Sequence, residues 1–420
     1  MPPDRSASSR HRIILAGLVG NMMEWYDFSV YGYFAAVIGH QFFPSKDPSV
    51  SLISVFGAFA AGFLVRPLGG LVFGRIGDLV GRSRALLLSV LTMAIPTVLI
   101  GLLPTYEAIG VAAPVLLVTC RMIQGLSVGG EYTSSLVFLV EHSPHNRRAI
   151  NAMWGAWGGA AGILMGSGVG ALLTNVFDET QVISWAWRLP FLLGAGVAAT
   201  GYLLRRNLHA DRIGGETQSP VFDSFGKHRF SVVKVALLNV GFGVTFYAAF
   251  VYALTYIKEI DHLPARVAFN LNTLSMAFLL VFLPLGAWLS DRIGRRPILI
   301  TAGALITFGS VPLFHLMHTN HPTTIFLGEL GFAAIIGMIS GGMVAANVEL
   351  IPGPIRCTGL AFAYNASVGL FGGTTPLIAA WLISVSGNPI MPAYWIAMGG
   401  AITLLTSIFL IRETAFESWN

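Results

Sequence analysis

Long apolar runs separated by short polar segments occupy most of this 420-residue chain. A helix needs about 20 mostly apolar residues to cross a lipid bilayer, and twelve runs approach or reach that length. Runs this long exceed ordinary strands, so we predict an all-α membrane protein with twelve transmembrane helices. Their approximate positions are 13–38, 50–73, 85–103, 109–140, 149–176, 184–204, 232–257, 267–289, 298–317, 323–350, 357–385 and 390–411.

A polar motif, Asp-x-x-Gly-Arg, interrupts the apolar runs twice, about half the chain length apart. Its members are Asp78, Gly81 and Arg82 in the first half and Asp291, Gly294 and Arg295 in the second. The glycines permit tight turns. The aspartates lie at helix ends, where they can pair with arginines or with the N-terminus of a neighbouring helix. We therefore predict that both copies belong to a cytoplasmic latch between the two halves.

A second motif, Glu-x-x-Pro-x-x-x-Arg, repeats with nearly the same offset. It runs from Glu141 to Arg148 and again from Glu349 to Arg356, and we assign these four residues to the same latch. Two independent motifs with one period indicate a duplicated module. The predicted domains are a six-helix bundle at 1–204, a cytoplasmic linker at 205–231 and a second six-helix bundle at 232–420.

The composition supports a membrane protein. Hydrophobic residues make up 54% of the chain and charged residues only 11%, whereas soluble proteins average about 25% charged residues. If the N-terminus is placed in the cytoplasm, most lysines and arginines fall in cytoplasmic segments. Only Lys46, Lys258 and Arg266 then fall in outer loops. Basic loops stay in the cytoplasm, so we predict cytoplasmic termini. This distribution explains the net charge of +5 without a nucleic-acid partner.

Acidic residues within the apolar runs are the main candidates for function, because a charge at mid-bilayer depth costs about 3 kcal/mol. These acids are Glu24, Asp27, Glu131 and Glu329. Glu24 and Asp27 are three residues apart, so they share a helix face, and Tyr31 extends that face by one turn. The role of Glu329, which stands alone, is left open.

The fourth run carries a matching polar face. Gln124 and Glu131 lie on one side of the helix, and Arg121 lies one turn beyond Gln124. If the first and fourth helices are neighbours, Arg121 can meet Asp27, and Glu24 can lie near Glu131. Structural ion pairs without a role in transport remain the alternative.

These groups suit proton coupling. Burial disfavours the charged form of a carboxyl group and a nearby cation favours it, so a carboxylate that alternates between an arginine and solvent can bind and release a proton. We expect no enzymatic activity, because the runs contain no nucleophile–base or metal set. The sequence also lacks an ATP-binding loop, so we do not expect ATP-driven transport. A histidine cluster without a carboxylate, at His315, His318 and His321, is expected to be inert.

Several longer motifs resemble one family. They are Gly20-Asn-Met-Met-Glu24-Trp-Tyr-Asp27-Phe, Arg66-Pro-Leu-Gly-Gly70, Arg121-Met-Ile-Gln-Gly125-Leu-Ser-Val-Gly-Gly-Glu131-Tyr, Trp187-Arg188-Leu-Pro-Phe191 and Gly372-Gly-Thr-Thr-Pro376-Leu. With the Asp-x-x-Gly-Arg loops, they resemble the metabolite:proton symporter subfamily of the major facilitator superfamily, nearest to its proline/glycine betaine branch.

The resemblance implies a central cavity between the two bundles, alternating access and proton symport of a small organic solute in the bacterial inner membrane. No cofactor is expected, and the expected partners are the solute, protons and the lipid bilayer, with the protein acting as a monomer. Two alternatives stay open. One is proton symport of a di- or tricarboxylate, such as 2-oxoglutarate or citrate, or of a shikimate-like acid. The other is a membrane receptor that does not transport.

Overall fold

The computed structural model describes residues 21–69, 72, 82–127, 131–196 and 226–417. Besides short helices at Tyr106–Ile109 and Glu179–Ser184, the first half of the chain contributes six helices to this description. They are α1 (21–42, with a turn at Phe34), α2 (Pro48–Leu64, continued at 66–69), α3 (Arg82–Leu102), α4 (Ala112–Ser127 and Glu131–Glu141), α5 (Arg148–Val176) and α6 (189–196).

The second half also contributes six helices, and two of them contain a π-helical segment. The helices are α7 (Arg229–Phe246, π segment Tyr247–Tyr252, then Ala253–Glu259), α8 (Ala265–Ile293), α9 (Arg295–Met317), α10 (Pro322–Glu349), α11 (Arg356–Ser367, π segment Val368–Gly372, then Thr375–Ser386) and α12 (Met391–Phe409). The predicted linker lies outside the described residues as far as 225.

The helices present an apolar outer surface. Within the described residues, nine helices are long and apolar enough to cross a membrane: α2, α4, α5 and α7 to α12. Large apolar side chains point outward on them, with Phe308 75% and Phe409 74% exposed. Water would oppose such exposure, whereas lipid tails do not. The ionisable groups of the spans are instead concentrated inside the bundle.

The two halves meet along the whole bundle. Helix α5 packs against α8 and α10, and α2 packs against α11. At the end away from the repeated motifs, Asn175 Nδ2 donates to Asn270 Oδ1 at 3.0 Å, and Ser167 Oγ lies 2.8 Å from Thr273 Oγ1. These contacts between the halves are polar, so water can replace them if the halves separate.

Contacts within the first half are tighter and involve backbone. A Cβ atom on Gly162 of α5 would lie 2.1 Å from the carbonyl oxygen of Met22 in α1. A Cβ atom on Gly125 of α4 would lie 1.8 Å from the carbonyl oxygen of Gly62 in α2. Small residues permit this approach between helices. The approach brings the polar faces of α1, α2 and α4 together.

The α1–α5 contact predicts a large difference between two glycines of α5. Gly162→Ala should destabilise the protein by about 1–3 kcal/mol, because the methyl group overpacks a backbone contact. Gly168→Ala is the matched control, since its Cβ atom would have no neighbour within 4 Å, and alanine favours a helix. Melting in detergent should show a lower melting temperature for Gly162→Ala alone. Equal melting temperatures would contradict this packing.

Candidate binding site between the two halves

A chain of hydrogen bonds links Asp27 to Arg121. Asp27 is 7% exposed, and its Oδ2 accepts a hydrogen bond from Thr97 Oγ1 of α3 at 2.9 Å. Gln124 Nε2 donates to the same Thr97 oxygen at 2.7 Å, and Arg121 Nη1 donates to Gln124 Oε1 at 2.9 Å. The expected meeting of Arg121 with Asp27 is therefore indirect, because Thr97 and Gln124 lie between them.

Thr97 can serve Asp27 in both of its protonation states. The hydroxyl has one hydrogen and two acceptors within reach, Asp27 Oδ2 and the carbonyl oxygen of Met93, each at 2.9 Å. It can donate to an ionised Asp27. It can also accept from a protonated Asp27 while donating to Met93. Gln124 remains bonded in either case, so a proton changes the charge of the site without breaking this chain.

The guanidinium of Arg121 is fully buried among aromatic rings. Its Cζ lies 4.3 Å from the ring centre of Tyr31, 4.6 Å from that of Phe28 and 5.3 Å from that of Phe59. Aromatic faces attract cations, and more strongly where water is excluded. Among the described residues, nothing accepts a hydrogen bond from Arg121 Nε or Nη2. The side chain thus has unused donors.

Arg66 supplies a second buried guanidinium. Its backbone follows the turn at Val65 in α2, and its side chain is 1% exposed. The Arg66 Cζ lies 3.8 Å from the Phe63 ring centre and 4.2 Å from that of Phe28, the ring that Arg121 also contacts. Arg66 Nε and Nη2 likewise have no hydrogen-bond acceptor within the described residues. Two guanidiniums with unused donors therefore share one ring.

Glu24 balances part of this positive charge. It is 8% exposed and interacts electrostatically with Arg66 and with Tyr132 and Tyr364. Helix α4 resumes at Glu131, but the structure does not describe the Glu131 side chain. The expected proximity of Glu24 to Glu131 therefore stays a prediction.

A small cavity, open on one side, lies between the halves beside these charges. Its first-half wall comes from α1, α4 and α5, and its second-half wall comes from α7, α8, α10 and α11. Aromatic side chains contribute much of the lining: Trp25, Tyr132, Phe242, Phe246 and Tyr364. The sequence analysis did not single out these rings, because aromatic residues are common in apolar spans.

The π-helical segments bring an aromatic side chain across the interface. Tyr247 begins the segment in α7 and lies 5.2 Å, centre to centre, from the Phe63 ring and 6.4 Å from the Trp25 ring of the first half. Gly372 ends the segment in α11, and a Cβ atom there would lie 2.9 Å from Tyr247 Cδ2. π-Helical turns are frequent at functional sites. Here they place Tyr247 against the ring that covers Arg66.

Asp291 joins the halves at the end of the bundle that carries the repeated motifs. Its Oδ1 and Oδ2 each accept a hydrogen bond at 3.0 Å, from the backbone nitrogens of Ala149 and Ile150 at the start of α5. Arg295 Nη1 donates to Asp291 Oδ1 at 2.8 Å. The carboxylate of a second-half helix thus caps a first-half helix, where its charge also interacts favourably with the helix dipole.

The second motif contributes two further contacts between the halves. Glu349 accepts hydrogen bonds from Arg295 Nε and Nη2 at 3.3 Å and lies 3.7 Å from Arg148 Nη1. Nearer the solvent, Arg356 Nη1 donates to Glu141 Oε1 at 2.6 Å. We call this network the latch: Glu141, Arg148, Asp291, Arg295, Glu349 and Arg356.

The segment after α12 covers the latch. Glu413 accepts from the backbone nitrogens of Arg295 at 2.9 Å and Arg296 at 3.0 Å. Thr414 Oγ1 donates to Glu349 Oε2 at 2.5 Å. Gly294 makes room for this contact, since it has φ = 105° and a Cβ atom there would meet the Glu413 carboxylate. In the first-half copy of the motif, Asp78, Gly81 and the side chain of Arg82 lie outside the described residues.

The histidine cluster differs from expectation. The sequence analysis found no carboxylate near it, but His318 Nδ1 lies 2.6 Å from Oδ1 of Asp261, which follows α7. Burial raises the pKa of Asp261, and the bond to His318 opposes that shift. His315 and His321 are exposed. The missed partner lies far away in the sequence, so local spacing did not reveal it.

Comparison with known proteins identifies the family. The model of the Major Facilitator Superfamily matches residues 17–373. The chain belongs to the major facilitator superfamily. It is therefore a multi-pass membrane protein, and the predicted twelve-helix fold is confirmed.

Three curated relatives are transporters and cover nearly all of the chain. The glycine betaine/proline/ectoine/pipecolic acid transporter of Dickeya dadantii is 37% identical, over 96% of this chain and 83% of the relative. The proline/betaine transporter of Escherichia coli K12 is 36% identical, over 96% and 84%. A putative proline/betaine transporter of Staphylococcus aureus MSSA476 is 34% identical, over 98% and 90%. The predicted proline/betaine branch is confirmed, and these relatives are not enzymes.

Solved structures agree on the fold. A D-xylose–proton symporter has a TM-score of 0.76 at 19% identity, covering 95% of this chain and 96% of its own. The inward-open xylose transporter of Escherichia coli has a TM-score of 0.75 at 18% identity, covering 96% of each chain. At this identity the likeness describes the architecture alone.

The latch predicts unequal effects for two arginines. Arg295→Gln should destabilise the protein by about 3–5 kcal/mol, because Asp291 and Glu349 keep their charges without the buried partner. Arg356→Gln should cost no more than about 1 kcal/mol, since the Glu141 side chain is 38% exposed and exposed ion pairs contribute little. Thermal melting in detergent measures both. A larger loss for Arg356→Gln would contradict the assignment of the buried pair.

Proposed function

We propose that this protein is a proton-coupled symporter that takes up a small zwitterion of the proline or glycine betaine class by alternating access. One observation carries this proposal: Arg66 and Arg121 are buried around the same Phe28 ring with N–H donors that lack acceptors among the described residues. Unsatisfied buried charges are costly, and a carboxylate matches the guanidinium fork. The carboxylate of a solute is the partner that we propose for these donors.

The cavity suits the other end of such a solute. Its rings include Trp25, whose centre lies 5.9 Å from Arg66 Cζ, and Tyr132 and Tyr364, whose centres lie 4.9 Å apart. Aromatic faces bind quaternary ammonium groups by cation–π attraction. A solute can thus direct its carboxylate to the arginines and its cationic carbon–nitrogen framework to the rings. The names of the curated relatives, which transport proline and betaine, support this class.

Asp27 is the proposed proton carrier. Protonation removes a negative charge near Arg121, with which Asp27 interacts, so the guanidinium becomes freer to bind the carboxylate of the solute. Thr97 keeps the hydrogen-bond chain complete in both states. A proton that crosses 100 mV supplies about 2.3 kcal/mol, which is enough to concentrate a solute tens-fold. Glu24, Tyr31, Gln124 and Glu131 are proposed to complete this site.

The latch is proposed to be the cytoplasmic gate. Its arginines and those of the neighbouring loops lie at one membrane end, and basic ends face the cytoplasm. Both termini are then cytoplasmic, and the membrane is proposed to be the bacterial inner membrane. Asp78, Gly81 and Arg82 are proposed to form the symmetric half of the gate with Gly294. Each six-helix half contains its own part of the site, so we propose that a monomer is sufficient.

A di- or tricarboxylate fits less well. Among the described side chains, the two central guanidiniums face Glu24 and Asp27, so the site has one excess positive charge when Asp27 is protonated. A solute with two or three carboxylates exceeds that charge. The names of the relatives also favour a zwitterion. A receptor would bind the solute without moving it into vesicles. Uptake of the solute by reconstituted protein would therefore show that the protein is a transporter and not a receptor.

Asp27→Asn should abolish proline or betaine accumulation driven by an inward proton gradient in proteoliposomes, because the amide cannot cycle a proton. Glu107→Gln, at an exposed position, is the control and should accumulate solute like the wild type. Gel filtration and melting of both variants show whether they fold. Gradient-driven accumulation by Asp27→Asn at the wild-type level would exclude Asp27 from coupling.

If Arg66 binds the carboxylate of the solute, its loss should weaken the binding of proline but not of prolinamide. Arg66→Gln should weaken proline binding about tenfold to a hundredfold, the range for a charge-assisted hydrogen bond of about 1.5–3 kcal/mol, while leaving the weak binding of prolinamide unchanged. Binding is measured by thermal shift on purified protein. Arg266→Gln, an exposed arginine, should behave as the wild type. An equal loss for proline and prolinamide in Arg66→Gln would overturn the assignment.

A further inference from the structure

A second group of buried oxygens without partners lies outside the Asp27 site. Glu329 of α10 and Asn272 of α8 are 0% exposed, and Tyr33 of α1 is 3% exposed. Within the described part of the chain, Glu329 Oε1, Asn272 Oδ1 and the Tyr33 hydroxyl each lack a hydrogen-bond partner. The Tyr33 hydroxyl carries a hydrogen that it can donate to the neighbouring Asn272 Oδ1, but Glu329 Oε1 then still lacks a donor in an apolar interior.

The helices hold these oxygens at one place. Ser275 Oγ donates to Glu329 Oε2 at 2.7 Å, and Asn272 Nδ2 donates to Ser167 Oγ at 2.9 Å. Asn272 and Ser275 are three residues apart and share one face of α8. Tyr33 lies beside Asn272 and interacts electrostatically with Glu329. The group therefore includes the first half, through Tyr33 and Ser167, and the second half.

The group formed by Glu329, Asn272 and Tyr33 lies far from the latch. Glu329 lies seven residues after Pro322, where α10 begins, which is about 10 Å into the helix at 1.5 Å per residue. The latch lies at the other end of α10, at Glu349. In the proposed orientation, the group thus lies toward the outer side of the membrane.

Glu329 has no cationic partner among the described residues. Among the described residues, no lysine, arginine or histidine forms an ion pair with it, and Tyr33 is the titratable group that faces it. Helix α8 presents the neutral Asn272 and Ser275. Helices α5, α7 and α9 contribute no described charged side chain to it; His318 of the α9 end pairs with Asp261 instead.

We propose that Glu329 is a second proton-binding site, loaded from the outer side and distinct from Asp27. A proton on Glu329 Oε1 turns this oxygen into a donor that can bond to Asn272 Oδ1 or to the Tyr33 oxygen, while Ser275 continues to donate to Oε2. With Tyr33 donating to Asn272 Oδ1, a proton on Glu329 Oε1 that is donated to the Tyr33 oxygen leaves all three oxygens hydrogen-bonded. Because Tyr33 belongs to the first half, separation of the halves removes it and admits water, so loading and release follow the transport cycle.

This inference rests on the proposed proton symport, and the test separates the two. Reconstituted protein is assayed for protons moved per solute, with proline as the solute, and infrared difference spectra record protonated carboxyl groups. Glu329→Gln should lower the count by one proton and remove one protonated-carboxyl band. At 100 mV, steady-state accumulation should fall roughly fifty-fold, since one proton supplies about 2.3 kcal/mol and 1.4 kcal/mol is tenfold.

Tyr33→Phe is the second variant, because it keeps the ring and removes only the hydroxyl. It should shift the pH at which the Glu329 band titrates, and Glu107→Gln should shift nothing. An unchanged proton count and band in Glu329→Gln, or an unchanged titration in Tyr33→Phe, would overturn the proposal. So would a dependence on sodium ions that Glu329→Gln removes. If the wild type moves no protons with proline, the proposed symport itself fails.

Discussion

The central constraint on this protein is that two guanidinium charges are held inside a bilayer, and neither forms an ion pair with a carboxylate among the described residues. Arg66 and Arg121 lie against aromatic rings, and both guanidiniums contact the Phe28 ring. The rings replace part of the lost hydration but accept no hydrogen bonds in these contacts, so N–H groups remain available. The close glycine contact between α2 and α4 is needed for this arrangement, because larger residues would move the two arginines apart.

The interior polar groups lie in three places along the bundle. The latch occupies one end, the arginine site the middle and the Glu329 group the other side. Contacts between the halves include ion pairs and hydrogen bonds, which water can replace, whereas contacts within the first half include backbone atoms packed against glycines. This difference favours motion of the halves as units around a fixed centre.

The sequence predicted much of this arrangement for physical reasons. Twelve apolar runs are long enough to span a membrane whatever their packing, and the motif repeats imply two related halves. The latch residues were recognisable because Asp291 and Glu349 have copies elsewhere at one spacing. Glu24, Asp27 and Arg121 were recognisable because charges are rare in spans. The sequence did not show that Thr97 bonds to Asp27, since a threonine in an apolar run is ordinary.

Hydropathy and motif spacing were thus enough for the class of protein, the number of helices and the charged residues of interest, because these depend on local composition. The partners of those residues required the folded chain. Arg66 follows the turn at Val65 in α2, and the packing of α1 places the Phe28 ring against its guanidinium. His318 meets Asp261, and Tyr33 meets Asn272, only because distant helices pack together. Side-chain direction and long-range contact, unlike the length of an apolar run, are properties of the packed bundle.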